Sequence, residues 1–311
     1  MSNIYTLTLN PAVDRELTVP AIEFDAVLRA SAWQVDFGGK GFNVSRMLKS
    51  LGTTSTALGF AGGKSGELLR DGLESLGIAA DFIWIDGETR TNISIVTEAH
   101  DHYVKVNEPG PTISFAEQHQ LLDQVRALSR PDDWWVLAGS LPPGLASDFY
   151  AQLVEIIQSG GAHAILDTSS DALAQGCKAA PFLAKPNDVE IQKITGLPVD
   201  NEAQIIAAAQ RLVEIGVSNV VVSLGKRGAM LATPDGHRLV KSPKIEERNP
   251  IGAGDSLVGG LVWGLSQEMP LVDALRWGVA CGAAAASLSG TGVGSRELVE
   301  KLVTMTEVQQ I

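Results

Sequence analysis

The residues with the clearest chemical potential lie in segment 249–256, which reads Asn-Pro-Ile-Gly-Ala-Gly-Asp-Ser. An apolar pattern with helical spacing begins directly after it, at Leu257. Small residues at the start of a helix leave backbone N–H groups free, and the helix dipole adds partial positive charge there. The backbone of 252–254 is therefore predicted to bind an anion. Asp255 lies beside it, where a carboxylate could take the proton of a hydroxyl that attacks a phosphate. An ordinary helix start with an N-terminal aspartate is the alternative.

A second glycine-rich segment spans residues 38–43 and precedes another helical pattern. Glycines let a backbone approach a ligand closely. Within the segment Lys40 supplies a cation, and Asn43 supplies both a hydrogen-bond donor and an acceptor. Asp14 follows the first predicted strand, where it would face the ligand crevice and accept hydrogen bonds from neighbouring sugar hydroxyls. Each of these features has an alternative explanation as a structural turn.

Two more side chains suggest a second anion pocket. Arg90 begins another predicted strand and presents a planar fork that suits phosphate. Ser140 follows a strand of the predicted sheet, so it would also face the crevice. Together with Lys40 these residues favour a phosphorylated sugar over a neutral one, because a dianionic phosphate needs charge-assisted hydrogen bonds to leave water.

Segments 185–190 and 223–228 are candidates for nucleotide and metal binding. Asn187 and Glu190 are three residues apart, so they share one helical face and could organise Mg²⁺, largely through water. A capped helix with an exposed glutamate is the alternative. Segment 223–228 follows a strongly apolar strand and could line the phosphates of a nucleotide, or it could be a simple hairpin turn.

The elements that would position these residues alternate between strand and helix. The predicted strands are 4–9, 56–61, 134–138, 164–166, 182–184 and 220–224, and the predicted helices are 43–51, 65–76, 115–128, 148–158, 188–195, 202–215 and those after Gly254, Pro270 and Ser295. This alternation predicts a parallel sheet covered on both faces. Short β-leaning segments at about 13–37 and 91–106, the second a hairpin around 98–101, interrupt the pattern. We interpret them as a small β-layer inserted into a single domain, 1–311, and placed to act as a lid; two surface hairpins are the alternative.

Composition excludes several classes of function. The chain has 311 residues and a formal net charge of −12, which is unfavourable for binding nucleic acid or an anionic membrane. It contains no run of 18 apolar residues and no basic N-terminal region, so neither a membrane span nor a signal peptide is expected. Two distant cysteines exclude a disulfide framework and a cysteine-based zinc site, and they suit the reducing cytoplasm.

Two nucleotide-binding motifs are absent. Segment 59–65 resembles a P-loop, but three residues separate its glycines where four are required. No dinucleotide fingerprint follows a predicted strand, which disfavours a dehydrogenase on a doubly wound sheet.

Taken together, these motifs resemble the ribokinase/PfkB carbohydrate kinase family over nearly the whole chain. Segment 38–43 looks like the first signature of that family, and 252–255 looks like the second. Five further motifs fall in the family's order and spacing: 10–14, 89–91, 139–144, 185–190 and 223–228. Within the family the chain is most similar to the branch that acts on phosphorylated ketohexoses.

The resemblance implies a ribokinase-like three-layer α/β/α sandwich with a small β-sheet lid, MgATP as the phosphoryl donor, and a homodimer joined through the lids. It implies Asp255 as the base and Gly252, Ala253 and Gly254 as the anion hole. The sugar-phosphate residues that it implies are Asp14, Arg29, Gly39, Lys40, Gly41, Asn43, Arg90 and Ser140. The nucleotide residues that it implies are Lys185, Asn187, Ser223, Gly225, Lys226 and Gly228, with Asn187 and Glu190 organising Mg²⁺.

One residue departs from the family pattern. Pro250 stands where many members carry threonine, and this position bears on a monovalent cation such as K⁺. The expected activity is phosphorylation of fructose 6-phosphate, fructose 1-phosphate or tagatose 6-phosphate to the bisphosphate. The alternatives are a kinase of a free sugar such as fructose or ribose, and a non-catalytic sugar- or nucleotide-binding protein on the same fold.

Overall fold

The structure is a computed structural model that describes residues 2–99, 102–288 and 292–311. The strands are β1 (Ile4–Thr8), β2 (Ala12–Val19), β3 (Ala32–Gly38), β4 (Thr56–Ala61), β5 (Ala79–Trp84), β6 (Arg90–Thr97), β7 (Tyr103–Asn107), β8 (Trp134–Ala138), β9 (His163–Asp167), β10 (Leu183–Ala184), β11 (Asn219–Ser223), β12 (Ala229–Thr233), β13 (Gly236–Lys241) and β14 (Glu307–Gln310). The helices are α1 (Lys40–Ser50), α2 (Gly63–Ser75), α3 (Phe115–Leu128), α4 (Phe149–Ser159), α5 (Ser170–Lys178), α6 (Asp188–Thr195), α7 (Glu202–Glu214), α8 (Ala253–Ser266), α9 (Leu271–Ala286) and α10 (Arg296–Val303).

Ten strands form the large sheet, in the order β14-β13-β12-β11-β10-β9-β8-β1-β4-β5. The seven strands from β11 to β5 in that order pair in parallel, and β12, β13 and β14 extend one edge antiparallel. Because the parallel strands end at one edge, the loops that follow them meet there. The polar ends of β1, β8, β9 and β10 are thereby brought to one crevice.

Hydrophobic cores lie on both faces of the large sheet. On one face Trp135 and Leu7 pack with side chains of α3, α4, α5 and α7. On the other, Val136 and Ile4 pack with α1, α8, α9 and α10. Alternate strand residues thus serve two cores, as expected for a sheet buried on both sides. The prediction of a three-layer α/β/α sandwich is confirmed.

A second sheet of four strands, in the order β3-β2-β6-β7, contains the short segments that interrupt the α/β pattern. Its β2–β6 pair is parallel and its other pairs are antiparallel. The base of this small sheet is fastened to the body by Phe37, which packs against α2, and by an ion pair between Asp36 of β3 and Arg46 of α1. Residues 100 and 101 of the expected hairpin lie outside the described residues.

Several boundaries differ from the expectations. Helix α1 begins at Lys40 rather than at 43, because the glycine-rich segment turns into a helix as soon as it passes Gly39. Strands β5, β13 and β14 and helix α5 had no counterpart among the predicted elements, and β12 was anticipated only by the alternative interpretation of 223–228 as a hairpin turn. No helix within the described ranges has the length and apolar character needed to cross a membrane.

Candidate active site

The site is built where α1 and α8 meet at the ends of the parallel strands. Gly252 caps α8 in a left-handed conformation (φ +79°), and Asp255 lies in the first helical turn. Asp255 is 8% exposed, and its Oδ2 accepts a hydrogen bond of 2.8 Å from Nδ2 of Asn43. The two glycine-rich segments singled out in the sequence are therefore joined by a direct contact between their polar side chains.

The carboxyl group of Asp255 has a pKa raised to about 6. Burial is the largest cause, and the negative charge of Asp167 adds to it. The hydrogen bond from Asn43 and the positive charges of Lys40 and Lys185 act in the opposite direction. A carboxylate with a pKa near 6 is mostly ionised at pH 7 and still holds a transferred proton well, which suits a general base.

Asp167 is a site residue that the sequence interpretation missed. It ends β9, is 1% exposed, and its Oδ1 lies 3.3 Å from Nζ of Lys40 and 3.2 Å from Nζ of Lys185. Its Oδ2 is buried without a hydrogen-bond partner. The available signal was its position, since a carboxylate directly after a buried apolar strand faces the same crevice as Asp14.

Lys40 and Lys185 both form salt bridges with Asp167 at the site. Lys185 is 4% exposed, and its Nζ is 3.8 Å from the point where a Cβ on Gly254 would stand, so the ammonium group faces the first turn of α8. The charge of Asp167 raises the pKa of Lys40. Lys40 was expected beside Arg90 and Ser140; the structure places it instead in a salt bridge with Asp167.

The side expected to bind sugar is formed by β2 and β6 of the small sheet. Asp14 accepts a hydrogen bond of 2.7 Å from Nδ2 of Asn92, its cross-strand neighbour. A Cβ on Gly38 would lie 2.1 Å from Oδ2 of Asp14, so the glycine at this position makes room for the carboxylate. Burial raises the pKa of Asp14.

Arg90 and Ser140 both contact Asn10, shortly after the end of β1. Arg90 donates hydrogen bonds of 2.9 Å to the carbonyl oxygens of Asn10 and Glu108 and one of 3.4 Å to that of Pro11. Three of its five N–H groups are thus used to fix the guanidinium, and two remain for a ligand. The expected Arg29 lies in the exposed connection between β2 and β3.

A cavity of about 710 Å³ opens on the other side of the α8 turn. Its polar edge includes Asn187, Ser223, Gly225, Lys226 and Gly228, and its apolar wall includes Leu257, Val279, Ala283 and Ala286. The size is within the range of small-ligand sites, about 300–1,000 Å³. The cavity reaches Ala253 and Gly254, so a ligand in it would end at the first turn of α8.

Asn187 and Glu190 form a capping box at the start of α6. Oδ1 of Asn187 accepts from the Glu190 amide at 2.7 Å, and Oε2 of Glu190 accepts from the Asn187 amide at 2.9 Å. The described ranges contain no group of three or more His, Cys, Asp or Glu side chains that could hold a metal. Oxygens left over from a cap fit a Mg²⁺ ion that keeps most of its water and the phosphates of its nucleotide.

This fold, with a large cavity that meets a buried carboxylate at a helix N-terminus, defines a phosphotransferase of the ribokinase-like class. The chain belongs to the pfkB family of carbohydrate kinases, whose family model matches residues 7–298.

Three relatives illustrate the similarity. The 1-phosphofructokinase of Bacillus subtilis (strain 168) is 35% identical over 308 residues, which cover 99% of this chain and 100% of that enzyme. The ATP-dependent 6-phosphofructokinase isozyme 2 of Mycobacterium tuberculosis (strain ATCC 25618 / H37Rv) is 36% identical over 312 residues, covering 99% of this chain and 92% of the relative. The structure of phosphofructokinase-2 from Escherichia coli in complex with potassium superposes with a TM-score of 0.93 at 32% identity, covering 98% of this chain and 99% of that one.

Proposed function

We propose that this protein transfers the terminal phosphoryl group of ATP to a ketohexose phosphate and forms the bisphosphate. The candidate acceptors are fructose 6-phosphate, fructose 1-phosphate and tagatose 6-phosphate. The observation that carries the proposal is the position of Asp255, between a nucleotide-sized cavity and the side that holds Asp14, Arg90 and Ser140. The similarity to phosphofructokinases over the full length supports the same substrate class.

In the proposed reaction Asp255 accepts the proton of the sugar hydroxyl while the hydroxyl oxygen bonds to the γ-phosphorus. The bond between that phosphorus and the bridging oxygen breaks, and ADP leaves with the electron pair. Asn43 orients the Asp255 carboxylate by its 2.8 Å hydrogen bond. The N–H groups of 252–254 and the ammonium of Lys185 stabilise the charge on the transferring group.

Asn187 and Glu190 are proposed to hold Mg²⁺ through water, and the ion would neutralise phosphate charge when it is bound. The small sheet is proposed to act as a lid that excludes water from ATP.

The solved phosphofructokinase-2 from Escherichia coli is a complex with potassium. We propose that this chain also uses a monovalent cation, which a comparison of its activity in K⁺ and in Na⁺ would test.

We propose a cytoplasmic location, with which the free, buried thiols of Cys177 and Cys281 agree.

We also propose a homodimer through the outer face of the small sheet. Trp33, Leu17, Ile95 and Val104 form one row across its four strands, on the face opposite Asp14. Trp33 is 74% exposed and Val104 is 41% exposed. An exposed apolar sheet face of this kind is typical of an interface. Trp33→Arg is expected to convert the dimer into a monomer in light scattering; a monomeric unmodified chain would contradict the proposal.

An ADP-release assay with MgATP tests the substrate class. The panel contains the three ketohexose phosphates, free fructose and ribose, compared by kcat/KM. One ketohexose phosphate is expected to exceed the free sugars by about 100-fold or more, because a built phosphate site rejects a substrate that leaves it empty. Equal kcat/KM for free and phosphorylated sugars would show that Arg90 and Ser140 do not bind phosphate. No phosphoryl transfer to any sugar would favour a binding protein.

A further inference from the structure

Asn10 lies between the large sheet and the small sheet, two residues after the end of β1. It is 6% exposed. Its main-chain oxygen accepts a hydrogen bond of 2.9 Å from Nη2 of Arg90, at the start of β6. Its side-chain Nδ2 lies 3.1 Å from the carbonyl oxygen of Pro109 and 3.5 Å from Oγ of Ser140. One residue therefore contacts both proposed phosphate ligands and the chain that returns from β7.

The orientation of the Asn10 amide is fixed by its surroundings. The carbonyl oxygen of Pro109 can only accept, so Nδ2 and not Oδ1 must face it. Oδ1 then lies on the other side, buried and without a partner. A Cβ on Gly110 (φ +94°) would stand 2.3 Å from it, so a glycine is required there. This orientation leaves Nδ2 as the atom of Asn10 that contacts Ser140.

We propose that Asn10 is a positioning residue for the phosphate already on the sugar. Its main-chain oxygen holds Arg90, and its side-chain amide, which is oriented by the Pro109 carbonyl after the small sheet, contacts Ser140. A second link, from Nη1 of Arg90 to the carbonyl oxygen of Glu108 at 2.9 Å, ties the same return segment to the guanidinium. Binding of the sugar phosphate is thus coupled to the position of the small sheet. This inference rests on the proposed function, since it takes Arg90 and Ser140 as phosphate ligands.

Asn10→Ala tests the inference through three kinetic constants. KM for the preferred ketohexose phosphate should rise about 5- to 20-fold, since the 3.1 Å hydrogen bond to Pro109 and the weaker 3.5 Å contact with Ser140 are lost. KM for ATP and kcat/KM for the free ketohexose should stay within roughly threefold, because neither involves the phosphate pocket. Asn3→Ala is the matched control: Asn3 precedes the same strand at its other end and donates to Asp133 at 3.1 Å. It should leave all three constants unchanged.

Asn10→Asp separates positioning of phosphate from support of the fold. The aspartate keeps the shape of asparagine but places an oxygen against the Pro109 carbonyl, which opposes folding and positioning alike. A purely structural role therefore predicts similar losses in kcat/KM for the phosphorylated and the free ketohexose. The positioning role predicts a much larger loss for the phosphorylated sugar, because a negative charge would stand near the bound phosphate. Equal losses for the two sugars in Asn10→Asp would contradict the inference.

Arg90→Ala distinguishes failure of this inference from failure of the proposed function. If Arg90→Ala leaves KM for the sugar phosphate unchanged, the phosphate pocket itself is wrong. If Arg90→Ala raises that KM and Asn10→Ala does not, only the inference is overturned. Should Asn10→Ala fail to fold, Gly110→Ala displaces Oδ1 of Asn10 from the other side and must give the same separation between sugar phosphate and ATP. An equal rise in both KM values would overturn the inference.

Discussion

The titration of Asp255 gives the sharpest test of the site. Its pKa of about 6, against an ordinary value of 3.8, predicts an acidic limb near pH 6 in kcat/KM. From pH 7 to pH 5 the ionised fraction of such a group falls about tenfold, and the rate should fall with it. Asp255→Asn should lose the contribution of Asp255 to the limb and keep only that of the substrate phosphate, and its residual rate is expected to be about 10²- to 10⁴-fold lower.

Two neighbours of Asp255 should move the limb in opposite directions. Asn43→Ala removes the hydrogen bond that stabilises the carboxylate, so the pKa should rise; a bond to a charged group is worth about 1.5–3 kcal/mol, or about one to two units. Asp167→Asn removes the nearby negative charge and leaves Lys40 and Lys185 facing Asp255, so the pKa should fall by about one unit.

The assay is initial-rate ADP release at limiting sugar phosphate from pH 5 to 9. The substrate phosphate also titrates near pH 6, but its limb stays at the same pH in every variant. Both variants change the height of the profile, because Asn43 and Asp167 are at the site, whereas only an effect on Asp255 changes the pH at which it bends. Limbs at one pH in the wild type and both variants would refute Asp255 as the titrating base.

Three further predictions follow from burial and shape. Because folding raises the pKa of Asp255, ionisation of this carboxyl group opposes folding above about pH 6 and has no effect below about pH 4. Asp255→Asn should therefore raise the free energy of unfolding in urea by about 2–3 kcal/mol at pH 8 and by little at pH 3.5. Ala283→Trp should place an indole ring inside the 710 Å³ cavity and raise KM for ATP about tenfold or more, with KM for the sugar phosphate unchanged. Gly72→Ala would place a Cβ 2.2 Å from the Phe37 ring and should destabilise the fold by about 1–3 kcal/mol, which Gly72→Ala/Phe37→Leu should partly restore in thermal unfolding.

The sequence predicted the large sheet well because its strands are short apolar runs between amphipathic helices. Apart from β12, the strands it missed are polar or lie at an edge of the sheet. Strand β14 is exposed along its whole length, and β13 pairs with it at the edge of the sheet. Such strands are defined by a neighbour's backbone hydrogen bonds and carry little hydrophobic pattern of their own.

The site was predictable where one segment carries its own signal. Segments 38–43 and 252–255 were recognisable because each combines glycines with a polar side chain. In the structure, Asn43 of the first segment donates a hydrogen bond to Asp255 of the second. Asp167 has only its position at the end of an apolar strand as a signal, and Asn10 only its place in motif 10–14. Their roles depend on contacts with residues far along the chain, such as Lys40 with Asp167 and Asn10 with Ser140, which become visible only when the strand order is known.

Asp167 also explains how an acidic chain can keep two buried carboxylates at a site for anions. Asp255 and Asp167 would be costly to bury side by side without compensation. Lys40 and Lys185 share Oδ1 of Asp167, so the charges nearly balance before any ligand binds. An arriving phosphate then meets a desolvated Lys185 and a Lys40 that is already oriented, and it need not overcome the net charge of −12 through long-range attraction. The buried carboxylate is therefore what allows these lysines to be held ready for phosphate beside the catalytic base.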